Sequence, residues 1–504
     1  MKWPSGPLEI GRRARAQTLT AEVKQLLLDW HAPRALEILR GSPVNCLIVN
    51  WASGAPEDEE QQRTLAALIQ AGRSLGISFV GAFSGKAVQP ATLEAGRKAG
   101  LAAALVEGAP PDPSPLLAIP SWPRSKIPWD ATFFSYPQLR EFGDSKFLFL
   151  SVSENRWPGV GLETMHGDVA VAGPTGIPWV DSNGWFSLLA RELGREKFFW
   201  LDLDPPASPP TTSWHPADYL LAIADSQAYG SWWIVSLEDQ MKVRLLKNEP
   251  QATKLWQDIA AALSFFKEHK DWSSFWPQGA LAVVSDFRGK NESLAEEVLN
   301  LLSRRGVQWR VIERSRASSR RFDHLKFIAW LDDDMPDADL LSNLLDFAKQ
   351  GGVLIVSQSW KLSDMRPAEG PLAERYQWNV LGSGRIAQSK KEFQDPYEVA
   401  ADIHLLMSRR NDLVRLFNAG MAACLCTASR GGKSSLVQIL DYSSSGPADF
   451  VSLWVKGSSD SARFWTFGSK QPAIIQGKRA GNGMEFELPS FSVYAGLEFG
   501  EWGL

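Results

Sequence analysis

Over its first 277 or so residues the chain alternates short apolar runs with helical patterns. NCLIVNW (45–51), ISFVGAF (77–83), LAAALVEG (101–108), LLAIPSW (116–122), KFLFLSVS (146–153), DVAVAG (168–173), FFWLDLD (198–204) and SWWIVSLED (231–239) are strand candidates. Between them, EEQQRTLAALIQAGRSLG (59–76), ATLEAGRKAG (91–100), WFSLLARELGREK (185–197) and PADYLLAIADSQAYG (216–230) read as helices, and LWQDIAAALSFFKEHKDWS (255–273) closes the region as an amphipathic helix. The strands are mostly continuous in their apolar character. That is the pattern of parallel strands covered on both faces. Their number predicts a (β/α)8 TIM-type barrel over 1–277. The rival architecture, an open doubly wound sheet, expects a glycine fingerprint after its first strand, and WASGAPEDEE lacks one.

Beyond 278 the scale changes. ALAVVSDF (280–287), VQWRVIE (307–313), LKFIAWLDDD (325–334) and VLIVSQSW (353–360) alternate with the helical segments 292–306 and 336–352. They predict a small amidotransferase-like α/β domain over 278–394. Residues 361 to about 415 read as a charge-rich connection with one helix, DPYEVAADIHLLMS (395–408). Short alternating runs then follow, such as SSLVQILDY, DFVSLWVKG and SFSVYAGLEF, separated by Gly, Ser and Pro. These predict a C-terminal antiparallel β-sandwich, so that 395–504 forms a third unit of linker helix and sandwich.

Composition narrows the function classes. With 44% hydrophobic and 22% charged residues, the 504-residue chain is globular. A formal charge of -4 and the lack of a basic tract give no support to a nucleic-acid partner. No window of eighteen apolar residues predicts a membrane span. No secretory h-region is visible at the amino terminus, so cytoplasm is the expected location, although a processed secreted or periplasmic chain would read the same. The three cysteines, Cys46, Cys424 and Cys426, form no disulfide framework, and Cys424 and Cys426 should share one strand face. GGK at 431–433 lacks the spacing of a phosphate loop, and no flavin, pyridoxal or nucleotide signature is present. No cofactor and no metal are expected.

The 22 Trp against 7 Tyr stand out. An indole offers a flat apolar face and one donor, which suits the C–H faces and hydroxyl fringe of a sugar. Most single Trp residues fill cores, so those beside loop carboxylates carry the interest. Strand-end carboxylates are the candidates for catalysis, because a barrel places its site at the carboxyl ends of its strands. Glu154 follows a strand with Arg156 and Trp157 beside it. Trp179, Asp181, Asn183 and Trp185 form a shaped Pro/Gly loop, where Asn183 can equally cap the next helix. Asp202 and Asp204 share one face at a strand end. His215 and Glu238 complete the set. Glu154, Asp202, Asp204 and Glu238 are thus the catalytic candidates. Arg156, Trp157, Trp179, Asp181, Asn183, Trp185 and His215 are the substrate-binding candidates. A metal-dependent alternative would use Asp202, Asp204 and His215. In the middle region, Ser285, Ser357 and His324 lack a third member for a nucleophilic triad, and the run Asp332, Asp333, Asp334 reads as a solvated loop.

A barrel, then an α/β domain with no cysteine nucleophile, then a small sandwich resembles the family 42 β-galactosidases and related glycoside hydrolases. The resemblance implies glycosidic bond hydrolysis by carboxylates on an oligosaccharide or glycoside, no redox cofactor, and a middle domain that contributes to a homo-oligomer. The motifs depart from that family. Glu154 precedes Asn155 where the family has an asparagine–glutamate pair, and the seventh strand candidate ends in Asp202 and Asp204 where the family has a nucleophilic glutamate. A non-catalytic carbohydrate-binding or assembly protein is therefore the alternative.

Overall fold

The computed structural model describes residues 1–107, 114–123, 147–151, 157–161, 163–166, 169–171, 179–193, 198–203, 205, 216–318, 322–361, 365–443, 446–457 and 459–500. In chain order the strands of the first region are β1 (Cys46–Ala52), β2 (Ser78–Phe83), β3 (Ala103–Glu107), β4 (Ala118–Pro123), β5 (Phe147–Ser151), β6 (Gly159–Gly161), β7 (Glu163–His166), β8 (Val169–Val171), β9 (Trp179–Asp181), β10 (Phe198–Asp202) and β11 (Trp232–Trp233). Its helices are α1 (Gly6–Arg15), α2 (Ala21–His31), α3 (Asp58–Ser74), α4 (Pro90–Ala99), α5 (Gly184–Leu193), α6 (Pro216–Ala228), α7 (Asp239–Leu246) and α8 (Pro250–Glu268). Strands β1 to β5, β10 and β11 form one sheet in that order, with every neighbouring pair parallel.

Residues 1–3 join the two edges of this sheet. On one side, Ile48 of β1 donates its N–H to the Met1 carbonyl at 2.9 Å and accepts from Trp3 at 2.8 Å. On the other, the Lys2 N–H donates to the carbonyl of Val235, just past β11, at 2.8 Å. The segment runs parallel to β1. The expectation that 168–173 supplies a strand of this sheet is corrected: β8 pairs with β7 in a separate two-stranded ribbon.

Alternation along the strands sorts the side chains into two clusters. Cys46, Ile48, Val80, Ala82, Ala103, Leu105, Ile119, Trp200 and Ile234 meet one another on the inner face. Their neighbours, among them Leu47, Val49, Phe79, Ala104, Val106, Phe199 and Leu201, join the large core shared with the helices. Apolar residues at both parities are what make these strands read as continuous runs.

Strand β12 (Trp276–Pro277) leaves the first region. The second sheet comprises β13 (Leu281–Ser285), β14 (Trp309–Glu313), β15 (Phe327–Trp330), β16 (Val353–Val356), β17 (Arg366–Ala368), β18 (Tyr376–Leu381) and β19 (Gly384–Ser389), in the order β14-β13-β15-β16-β19-β18-β17. Its first five strands are parallel; β18 and β17 add antiparallel. Helices α9 (Lys290–Arg304), α10 (Ala338–Lys349) and α11 (Pro396–Met407) accompany it. Asp337 caps α10 by accepting from the Leu340 N–H, and Asp395 caps α11 from the Tyr397 N–H. The irregular connection expected after 361 is corrected, because β17, β18 and β19 extend the sheet. Gly384 lets β19 pass the end of α10, where a Cβ would run into the carbonyls of Ala348 and Gly352. Helix α11 packs on α9 and is tied by Glu398 and Asp402 to Arg375, at 2.8 and 2.6 Å, so it sits with the second sheet.

The third sheet is antiparallel throughout and nine-stranded. It contains β12 with β20 (Val414–Phe417), β21 (Ala422–Ala428), β22 (Ser435–Asp441), β23 (Ser452–Lys456), β24 (Ser461–Thr466), β25 (Ala473–Ala480), β26 (Gly483–Glu487) and β27 (Tyr494–Phe499). Side chains from β21, β22 and β27 meet those of β20, β23 and β26 in one core. Cys424 and Cys426 share that face, as their spacing predicts. Among the described residues no helix is long and apolar enough to cross a membrane.

Candidate functional site

The carboxyl ends of the first sheet's strands carry polar residues at inward parity. Asp202 ends β10 two residues after Trp200, which packs on the inner cluster. Its carboxylate is ion-paired with the Lys2 ammonium, and the two side chains are 11% and 21% exposed. The pair links the edge-joining segment to β10. Glu107 ends β3 on the parity of Ala103 and Leu105 and is half-buried. Trp200 and Trp232 are direct register partners on β10 and β11. Asp202 was legible in the sequence as a strand-end acid. Glu107 stood at the end of an equally clear apolar run but had no polar or aromatic company to mark it. Lys2 had no signal, since only the closed hydrogen bonding brings it inward.

The remaining predicted residues separate into groups. Glu154, Arg156, Asp204 and His215 lie outside the described residues, and of Trp179 only the backbone is described. Glu238 is half-buried just before α7, where its N–H faces the Tyr219 hydroxyl at 3.4 Å. Burial first, and the Glu238 carboxylate second, push the Tyr219 phenol well above its ordinary pKa. Asp181 is half-buried and opposite Gly159 in the ribbon formed by β6 and β9.

Three residues expected at a sugar subsite make contacts within the protein. Trp157 meets Tyr219 and Trp233 edge-on, with centroids 6.0 and 5.6 Å apart, against the outer core and so on the face opposite Asp202. Trp185 is 1% exposed and stacks on Phe287 at 6.0 Å, between the first and second sheets. Asn183 precedes α5 and is held by the buried Asp225 of α6: its N–H and its side-chain amide both donate to Oδ2, at 3.0 and 3.1 Å. Asp225 Oδ1 accepts from Ser182 and from Tyr442 at 2.7 Å each. Desolvation raises the Asp225 pKa, and these donors oppose the rise. The apolar size that made these indoles attractive in the sequence is what draws them inside.

In the second sheet the expected solvated loop at 332–334 is corrected in part. Asp332 is fully enclosed, accepting from the Asp286 N–H at 3.1 and 3.0 Å, with Arg314 at 3.4 Å. Burial, followed by the nearby Asp286 carboxylate, pushes its pKa up to about 7. Asp333 pairs with Lys290, and Asp334 with Arg314 at 2.7 Å. The Ser285 hydroxyl is hydrogen-bonded to the Asp332 carboxylate and accepts from the Phe287 N–H at 3.0 Å. Among the described residues no group of three His, Cys, Asp or Glu side chains is arranged to hold a metal ion.

No known protein family profile matches the chain, and no curated protein sequence matches it. Solved structures do. An α-L-fucosidase isoenzyme 2 from Paenibacillus thiaminolyticus superposes with a TM-score of 0.55 at 10% identity, over 94% of this chain and 96% of that one. A family 42 β-galactosidase from G. stearothermophilus gives 0.46 at 11% identity, over 88% and 67%. An exo-β-1,4-mannosidase from Opitutaceae bacterium strain TAV5 gives 0.44 at 11%, over 80% and 93%. The first of these shows a shared fold along nearly the whole chain. The chain is a mixed α/β protein that shares its fold with that α-L-fucosidase.

Proposed function

We propose that residues 1–277 form a (β/α)8 barrel whose eighth strand is the short segment around Lys2, and that this barrel binds and hydrolyses glycosides at its strand carboxyl ends. The Lys2–Asp202 ion pair carries this reading. It sets a carboxylate on the inner face, at a strand end, in the position where barrel enzymes keep their reactive groups. Asp202 serves as the nucleophile or charge-stabilising carboxylate. Glu107, reaching inward from β3, protonates the glycosidic oxygen. Glu238 borders the same rim, and Glu154 and Asp204 come shortly after β5 and β10 in the sequence. Residues 278–394 form the amidotransferase-like domain, to which α11 is added, and the rest of the chain forms the sandwich. The fold shared with an α-L-fucosidase supports the sugar assignment by analogy of architecture.

The test is turnover of a broad panel of nitrophenyl glycosides and oligosaccharides by the wild type, D202N and E107Q. Hydrolysis lost in both variants, with folding intact by circular dichroism, is the expected result. Hydrolysis unchanged in both would remove the barrel carboxylates from the chemistry. A second reading, glycan binding without cleavage, draws on the salt-bridged state of Asp202. It predicts calorimetric glycan binding with no product over the whole panel.

A further inference from the structure

A cleft of about 940 Å³ opens between α5, the second sheet and the third sheet, and no strand residue of the first sheet lines it. Four cationic side chains line it: Arg310 of β14, Lys326 just before β15, Arg430 in the turn between β21 and β22, and Lys456 at the end of β23. The lining includes one carboxylate, Glu192, among the described residues. Trp276 of β12 supplies an indole, and the buried Arg191 guanidinium lies 5.1 Å from its ring centroid. Arg191 donates to the carbonyls of Tyr229, Ser273 and Phe275 at 3.3, 3.0 and 2.9 Å, so its hydrogen bonds go to neutral acceptors and it adds to the positive field.

These charges come from separate elements of two sheets and converge on one concave space. Low-dielectric walls focus such a field on whatever enters. Guanidinium and ammonium groups together match the oxygens of a tetrahedral oxyanion, and an indole matches the apolar face of a sugar ring. We propose that this cleft binds a sugar bearing a phosphate or sulfate monoester, with the ester among Arg310, Lys326, Arg430 and Lys456 and the ring toward Trp276. The proposal is independent of the barrel reading, since it uses no residue of the barrel's inner face.

Isothermal titration of the full chain with glucose 6-phosphate, glucose 6-sulfate, glucose and inorganic phosphate tests it. Lys326 and Arg430 are exposed, so K326E/R430E should fold as the wild type does, which a thermal melt checks. At least one ester should bind, glucose should bind far more weakly, and the double variant should lose about tenfold or more in affinity, as expected for charge-assisted hydrogen bonds. The tighter ester identifies the oxyanion. Failure of both esters to bind, undiminished binding by the folded variant, or inorganic phosphate binding as tightly as the esters would overturn the proposal. Loss of glycoside hydrolysis in D202N would leave this outcome untouched, so the two sites fail separately.

Discussion

The ammonium of Lys2 and the carboxylate of Asp202 form an ion pair on the inner face of the first sheet, between the segment that joins its edges and the end of β10. The side chains are largely enclosed, so removing one partner strands the other in a poorly solvated place. Lys2→Ala should therefore destabilise the chain by about 2 kcal/mol, somewhat below the cost of breaking a fully buried pair. Lys2→Met combined with Asp202→Leu should recover much of that loss. Urea denaturation of Lys2→Met, Asp202→Leu and the double variant measures the coupling. Additive effects would show that the pair contributes nothing of its own.

Asp225 joins the helix layer of the first region to the third sheet through Ser182, Asn183 and Tyr442. Asp225→Ala leaves several buried donors without an acceptor and should cost about 3 kcal/mol or more. Tyr442→Phe removes one bond and should cost about 1–2 kcal/mol. Denaturant midpoints give both values. An Asp225→Ala chain as stable as the wild type would show that water readily replaces the carboxylate.

Asp332 makes a pH prediction. Its folded pKa of about 7 lies above the ordinary carboxylate value, so between about pH 4 and 7 the folded state holds more protons than the unfolded state. Stability therefore falls as pH rises through that window, at up to about 1.4 kcal/mol per unit from this group. Asp332→Asn, which keeps an acceptor for the Asp286 N–H, should flatten the profile and be the more stable form at pH 8. Parallel profiles for the two proteins would contradict the assignment.

Cys424 and Cys426 lie inside the third sheet's core, and burial pushes the Cys424 thiol up to about 12 and the Cys426 thiol well above its ordinary value. Neither should react with Ellman's reagent at pH 8 until the chain is unfolded, because the thiolate is the reactive form. Prompt labelling of either in the native protein would show that the core opens readily.

Much of the fold was readable because β1, β2, β3, β10 and the first four strands of the second sheet, β13 to β16, are largely buried on both faces and so stand out as apolar runs. The segment around Lys2 was not readable: it is too short to show a period, and only its partners on both sides define it. The hairpin of β18 and β19 was missed because its outward positions, such as Gln377 and Arg385, made the stretch read as charged connection. For the site, position along a strand put Asp202 at a strand end, where it is found, whereas composition gave no sign that Trp185 is buried. An indole beside a loop carboxylate looks the same in sequence whether its ring lies in a cleft or under a helix.

The hydrogen bonds of residues 1–3 also bear on the order of events in folding. Their partner in β1 emerges early in synthesis, whereas Val235 emerges only after the other strands of the sheet. Until then the growing sheet has two unsatisfied margins, available for mispairing between nascent chains. Joining them requires one contact of long sequence separation, which makes that contact a late and slow event. Refolding should therefore show a phase sensitive to substitutions at Lys2 and largely indifferent to those in the third sheet.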